Sequence, residues 1–174
     1  MKNICIYLFI LLLFISLLNI EAFSKDKNQQ NPFTSYIGNS PLVFSASTSL
    51  IFSFTAMAEI NLGQFYFGQI PLNYCFGLIS AFFIQGSAFS IVASPIITVH
   101  LGLSSIPIEL VEGIGLGVGF DINSEIKPKI AFTAVFQINY YLSSFNGLFF
   151  QISSISGYMN WGLGIFFNAK GGKK

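Results

Sequence analysis

The chain of 174 residues is 53% hydrophobic and 9% charged, and its formal net charge is +1. Soluble domains usually carry about 25% charged residues, yet no Asp, Glu, Lys or Arg occurs between Ile60 and Ile108. A water-soluble domain of this size has too much surface to leave so long a stretch uncharged. The composition therefore favours a membrane protein. The chain contains no arginine, which gives no support to nucleic-acid binding, because that function depends on clustered Lys and Arg.

The N-terminal residues have the layout of a secretory signal peptide. Lys2 precedes an apolar run from Ile4 to Ile20, and the polar stretch "EAFSKDKNQQ" follows after it. Small residues before Lys25 suit cleavage at that point. The alternative is a retained membrane anchor, since the run lies near the lower limit of about 17 residues for a spanning helix. We expect a signal peptide over residues 1–24 and a polar N-terminal segment over residues 25–41.

The cysteine content excludes one class of secreted protein. Of the two cysteines, Cys5 lies inside the predicted signal peptide, so Cys75 alone remains after cleavage. One cysteine cannot close an intramolecular bridge, and the chain is therefore not a small disulfide-stabilised scaffold.

Hydrophobicity alternates with a period of two along much of the chain. From Phe44 to Leu62 the even positions are apolar except for Thr48, while most odd positions carry Ser, Thr, Glu or Asn. This period places the two sets on opposite faces of a β-strand. In a helix Ser45 and its i+4 neighbours would also share a face, but Glu59 and the other polar residues would not join them.

The alternation returns in "KIAFTAVFQINYYL" and in the last segment before the tail. Clusters of turn-forming residues, such as "NLGQ", "IPLN" and "SISGYMN", separate the alternating stretches. They define about eight predicted strands, over residues 42–60, 64–72, 74–86, 88–103, 107–122, 127–142, 146–155 and 158–168. The first boundary, at "NLGQ", fits a bulge as well as a turn. Most segments reach the roughly 9–11 residues of a tilted transmembrane strand.

The sequence thus predicts an all-β fold, a single antiparallel transmembrane β-barrel of about eight strands. The barrel occupies residues 42–168, and a basic tail follows over residues 169–174. Helices and closed barrels are the two structures that satisfy their backbone hydrogen bonds inside a lipid bilayer. A small multi-spanning helical protein is therefore the alternative fold.

Residues 113–123 read "GIGLGVGFDIN", with glycine at every second position from Gly113 to Gly119. In a barrel strand the large residues would face acyl chains, while the glycines face a narrow interior or let a larger inward neighbour lie across them. The dinucleotide fingerprint does not fit, because Val118 stands where it needs glycine. The G-x-x-x-G spacing of packed membrane helices is present, but glycine costs about 1 kcal/mol per residue relative to alanine in a helix.

These features resemble the small outer-membrane β-barrel proteins of diderm bacteria, including spirochaetal ones. The resemblance rests on the signal peptide, the alternating segments over residues 42–168, and the closing "YMNWGLGIFFN", which is similar to the final strand that barrel-assembly machinery recognises. It implies a location in the outer membrane of a diderm bacterium, with membrane lipids as partners and barrel-assembly machinery as a partner during biogenesis. The sequence names no specific protein partner or ligand.

Some small barrels of this class act on lipid acyl chains with Ser, His and an acid, so we considered the single histidine, His100. It shares a strand face with Thr98 and Ser104, and Glu109 is an acid that could orient the ring. A serine nucleophile needs its base within hydrogen-bonding reach, whereas Ser104 lies two same-face steps away. No G-x-S-x-G elbow accompanies it. We interpret His100 as a packed, hydrogen-bonded histidine and predict no catalytic site.

Metal and cofactor binding receive no support from the sequence. His100 and Cys75 cannot supply a four-ligand metal site unless several carboxylates join them. We therefore predict no metal site, no cofactor-binding residues and no cofactor.

Charged residues cluster around the segment 107–142: Glu109, Glu112, Asp121, Glu125, Lys127 and Lys129. We interpret them as a solvated hairpin end kept out of the bilayer, because Lys on the lipid face costs roughly 2–4 kcal/mol at the midplane. An exposed loop that meets a partner and a lumen charge network are the alternatives. The tail residues Lys170, Lys173 and Lys174 are expected to stay in water, near anionic headgroups.

Two functions of different classes fit this sequence. The first is a non-enzymatic outer-membrane barrel with a structural or surface-interaction role. The second is a narrow pore or a carrier for small apolar molecules. The short predicted loops disfavour a large adhesive surface, and the nearly uncharged interior disfavours a charge-selective channel.

Overall fold

The computed structural model describes residues 33–34, 36, 42–49, 53–68, 70–85, 88–103 and 106–169. The predicted signal peptide, most of the polar N-terminal segment, and the tail lysines lie outside the described residues. No helix among the described residues is long and apolar enough to cross a membrane.

Nine strands occur within the described ranges: β1 (Phe33–Thr34), β2 (Leu42–Ser49), β3 (Ser53–Phe67), β4 (Ile70–Gln85), β5 (Ala88–Leu103), β6 (Ile108–Ile122), β7 (Ile126–Tyr141), β8 (Asn146–Ile155) and β9 (Tyr158–Asn168). From β2 to β9 each strand pairs antiparallel with the next, and β2 also pairs with β9. These pairings close an eight-stranded barrel, while β1 adds two residues beside the end of β5. The predicted fold class is confirmed.

The first predicted strand, over residues 42–60, is wrong, because it spans both β2 and β3. The hydroxyl groups of Ser49 and Ser53 lie 2.7 Å apart at the base of this hairpin. Both serines also fit the alternating pattern, which explains why periodicity did not reveal the turn.

The first predicted boundary, at "NLGQ", is a bulge inside β3, which is one of the two alternatives that the sequence left open. Asn61 pairs with Cys75 and Gly63 pairs with Tyr74, which leaves Leu62 as an extra residue. The predicted turn at "IPLN" is wrong, since Pro71 lies within β4. A β-bulge adds one residue to a strand without ending it, so a local cluster of turn formers was misleading here.

The barrel has an apolar exterior and a largely polar interior. On β6 the large side chains Ile114, Leu116 and Val118 are 58%, 64% and 59% exposed, and the glycines between them face the lumen side. The orientation predicted for "GIGLGVGFDIN" is therefore confirmed. Strands β4, β5 and β7 each have 16 residues, more than the roughly 9–11 that cross the hydrocarbon core. The strands therefore extend beyond the bilayer.

We call the barrel end at which β2 begins and β9 finishes the terminal end, and the opposite end the distal end. Near the distal end, buried apolar side chains from β3 and β4 across to β7 and β8 form what we call the apolar layer, and buried Ser94, Thr133 and Ser153 lie in register with its members. Its buried members are Met57, Ile79, Ala81, Phe83, Val92, Ile96, Ala131, Val135 and Ile155. The buried charged side chains lie in the terminal half, and they form the site described next.

Candidate functional site

The imidazole of His100 lies between two carboxylates in the terminal half of the lumen. Its Nε2 is 3.4 Å from Oε1 of Glu59, and its Nδ1 is 3.4 Å from Oε2 of Glu109. The side chains of all three residues are at most 2% exposed. The ring therefore separates two buried carboxylates and has one of them at each nitrogen.

Glu59 reaches the ring from β3, two strands away from β5. It pairs with Gly77 of β4, and a Cβ at Gly77 would lie only 2.9 Å from Cγ of Glu59. The missing side chain at Gly77 thus leaves room for Glu59 to cross toward His100. Thr98 donates its hydroxyl hydrogen bond to Oε1 of Glu59 and also lies 3.2 Å from Nε2 of His100.

Glu109 is held by donors from β7. Its Oε2 accepts hydrogen bonds from Nδ2 of Asn139 at 3.2 Å and from the hydroxyl of Tyr141 at 3.0 Å. The amide of Asn168 in turn donates to the Tyr141 oxygen at 3.2 Å. Donors from β7, supported by Asn168 of β9, thus hold the carboxylate beside the His100 ring.

An aromatic cap closes the lumen on the terminal side of this cluster. Tyr141, Phe149 and Phe166 are buried together, and Tyr36 stacks on Tyr141 with ring centroids 4.6 Å apart. Phe149 lies across Gly164 of β9, and Phe166 correspondingly lies across Gly147 of β8. Glycine in paired strands therefore makes room for an aromatic neighbour.

Tyr36 is anchored by the barrel rim. Its hydroxyl lies 2.6 Å from the carbonyl oxygen of Leu103 and 2.7 Å from that of Ile106. Burial raises the pKa of the Tyr36 phenol, and the Glu109 carboxylate acts in the same direction. The phenol therefore remains a hydrogen-bond donor throughout the neutral range.

Three potential metal ligands, one of them His100, meet in the lumen. A carboxylate oxygen of Glu59, the sulfur of Cys75 and a ring nitrogen of His100 all lie within 4.8 Å of one another. Cys75 is fully buried. From the sequence, a four-ligand site required several carboxylates to join His100 and Cys75. The structure brings one carboxylate, Glu59, to them, so three potential ligands meet.

Thr98, His100 and Glu109 also stand in the order hydroxyl, imidazole, carboxylate. That order occurs in nucleophilic enzymes, but the Thr98 hydroxyl is fully buried and bonded to Glu59. The arrangement leaves no approach for a substrate to this hydroxyl. Ser104, the serine considered from the sequence, lies outside the described residues.

The charged residues around 107–142 do not form one hairpin end, and that interpretation is wrong for Glu109 and Glu112. Both residues lie near the start of β6, at the other end of the barrel from the tip of the β6–β7 hairpin. Glu109 points into the lumen, while Glu112 lies on the outward face, where it pairs with Val99 and Phe136. These residues are close in the sequence, but the 15-residue strand β6 places them at opposite ends of the barrel.

The other charged residues do lie at the distal end. Lys127 and Glu125 are exposed and 3.6 Å apart. Lys129 pairs with Asp121, and its Nζ is 4.7 Å from the centre of the Tyr158 ring. Glu125 and Lys127 match the predicted solvated hairpin end, whereas Asp121 and Lys129 form a partly buried ion pair beside Ser90.

Comparison with known proteins defines the fold. No family model matches the sequence, and no curated protein matches it either. Among solved structures, the N-terminal β-barrel domain of Pseudomonas aeruginosa OprF matches with a TM-score of 0.52 and 13% identity, over 73% of this chain and 94% of that chain. The outer membrane enzyme PagL matches with a TM-score of 0.41 and 7% identity, over 74% of this chain and 98% of that one. The chain therefore has the fold of a small outer-membrane β-barrel, as its likeness to the OprF domain shows.

Proposed function

We propose that this chain is an outer-membrane β-barrel with a closed lumen, which serves a structural or surface-interaction role without conducting solutes or catalysing a reaction. The observation that carries the proposal is the apolar layer near the distal end. Its nine buried side chains are contributed by β3, β4, β5, β7 and β8. An eight-stranded barrel has an interior just wide enough for its side chains to fill.

The outer-membrane location is part of this proposal, and so are the membrane lipids and barrel-assembly machinery as partners. The outward side chains support contact with lipid, because the outer faces of β2, β3, β4 and β9 carry a shallow apolar groove of about 360 Å³. Ala46, Ala56 and Ala58 form part of its floor, and Phe44 and Phe167 are among its flanking residues. A spirochaetal origin stays a prediction.

The lack of a path for substrate to the Thr98 hydroxyl disfavours a catalytic role. The Thr98 hydroxyl is fully buried, and it lies between the apolar layer and the aromatic cap. A lipid ester could reach it only if one of these two layers opened. We therefore expect no release of fatty acid when the folded protein is incubated with phospholipid vesicles.

A pore or a carrier of small apolar molecules is the competing function, and planar bilayers test it directly. The wild-type protein should give no step conductance, because the apolar layer excludes water and ions from the lumen. The matched positive control is Phe83→Ala combined with Ile155→Ala, which removes bulk from that layer and should raise leakage. Discrete conductance steps from the wild-type protein would contradict the proposal.

A further inference from the structure

We propose that the lumen binds one divalent transition-metal ion of the zinc class, with Glu59, Cys75 and His100 as its ligands. The carboxylate, thiol and imidazole donors lie within 4.8 Å of one another. Donors that share a tetrahedral zinc ion are about 3.5 Å apart, as follows from bond lengths near 2.0–2.3 Å. The donor atoms would therefore need to approach one another by about 1.3 Å at most.

The barrel wall holds the three donors in place. They come from three consecutive strands, Glu59 from β3, Cys75 from β4 and His100 from β5. Sites built on strands are positioned more firmly than sites built on loops. The Thr98 hydroxyl, 3.2 Å from Nε2 of His100, adds a polar group on the side of the ring that faces Glu59.

The surroundings of His100 match those of a metal-bound histidine. Such a histidine uses one nitrogen for the metal and donates its other N–H to a carboxylate or carbonyl, which fixes the ring. Here Nε2 lies 3.4 Å from Glu59, and Nδ1 lies 3.4 Å from Glu109 without hydrogen-bond geometry. Glu109 is itself held by Asn139 and Tyr141. Glu109 is thus a positioning residue that does not contact the ion.

Charge also favours a cation at this place. Among the buried charged side chains of the described residues, two are carboxylates, Glu59 and Glu109, and the remaining one is His100. Two buried carboxylates share one imidazole, so the cluster carries net negative charge whose burial is costly, and a divalent ion beside Glu59 would offset that cost. The thiol and imidazole donors favour zinc or cobalt over magnesium and calcium, which prefer oxygen ligands.

Cobalt provides a spectroscopic test on the full-length chain. A Cys5→Ser background leaves Cys75 as its single thiol. Because the apolar layer and the aromatic cap cover the site from both sides, the ion should be added while the protein refolds into detergent micelles. We expect one Co²⁺ per chain after dialysis, with a thiolate-to-cobalt charge-transfer absorption band. Zinc should displace the cobalt, and magnesium should not.

Variants assign the ligands. Cys75→Ser should lose the charge-transfer band completely, and His100→Ala and Glu59→Gln should lose stoichiometric binding. Ser153→Ala changes another buried lumen residue and should leave binding unchanged, which makes it the matched control. Glu109→Gln should keep the band but weaken binding by about 10–100-fold, the usual effect of losing an outer-shell partner. A purely structural role of Glu109 would not produce a retained charge-transfer band together with weaker cobalt binding.

Two results would overturn the metal site. One is a folded wild-type protein, verified by its heat-modifiable gel mobility, that shows no charge-transfer band after refolding with cobalt. The other is stoichiometric binding that persists in both Cys75→Ser and His100→Ala. X-ray absorption of the wild-type cobalt protein requires no variant, and it must show sulfur and imidazole in the first coordination shell. Metal binding can be measured whether or not the barrel conducts ions. This test is therefore independent of the proposed function.

Discussion

A single methyl group at Gly117 should destabilise the barrel. A Cβ there would lie 2.1 Å from the carbonyl oxygen of Ala93 and 2.4 Å from Cα of Ser94, whereas ordinary contact begins at 3.4 Å. Both obstacles are backbone atoms of β5, so no side-chain rotation relieves the clash. Strands β5 and β6 would have to move apart by more than an ångström. We expect Gly117→Ala to lower the free energy of unfolding by about 1–3 kcal/mol, the usual range for overpacking.

The neighbouring outward position provides the matched control. Val118 is 59% exposed on the barrel exterior, so Val118→Phe adds a ring that meets only lipid or detergent. Its effect on the free energy of unfolding should be close to zero. Gly117→Phe places the same ring against the β5 backbone, and it should prevent folding.

Urea unfolding in detergent micelles measures both effects. Trp161, the single tryptophan, is a fluorescence probe on the outer face of β9, and heat-modifiable gel mobility reports the folded fraction independently. Spin labels at positions 114–121 should show lipid accessibility that alternates residue by residue. Equal stability of Gly117→Ala and wild type, or accessibility repeating every three to four residues, would refute the reasoning.

The remaining predictions concern the lumen cluster and the rim. In the presence of a chelator, His100→Ala should destabilise the protein by about 3–5 kcal/mol, because two buried carboxylates lose the ring between them. Adding Glu59→Gln should restore part of the loss, and a double-mutant cycle in urea detects the coupling; purely additive effects would contradict it. Tyr36→Phe keeps the stacked ring but removes the hydroxyl bonded at Leu103 and Ile106. It should cost about 0.5–1.5 kcal/mol, and an unchanged unfolding midpoint would argue against that anchor.

The barrel itself was predictable because its solvent imposes a simple pattern. A lipid-facing strand needs an apolar side chain at every second position, and the alternate positions face a lumen that accepts polar residues. The contrast is strong in β6, where "GIGLGVGF" alternates glycine with large apolar residues, and in β7, where "FTAVFQIN" alternates apart from the inward Val135. The predicted strands from residue 88 onward accordingly agree with β5 to β9 within one residue at each end.

Turns were less predictable where their residues also suited a strand. The hairpin between β2 and β3 carries Ser49 and Ser53, which are small enough for a turn and polar enough for the lumen face. Conversely, Pro71 is a turn former that the structure places within β4. Local composition has no way of distinguishing these cases, because pairing with a distant strand decides them.

The cluster around His100 depends on a feature that the sequence shows only indirectly. Counting back from the hairpin tip, where Phe67 pairs with Ile70, an uninterrupted β3 would place Glu59 opposite Leu78, whose side chain points outward. The bulge at Leu62 shifts the pairing by one residue, so that Glu59 pairs with Gly77 instead. A shift of one residue exchanges the two faces of a strand. The extra residue thus turns Glu59 from the lipid face into the lumen, and Gly77 then gives it the room to reach His100. The polar cluster of the terminal half consequently rests on one bulge and one glycine, and neither belongs to any recognisable motif.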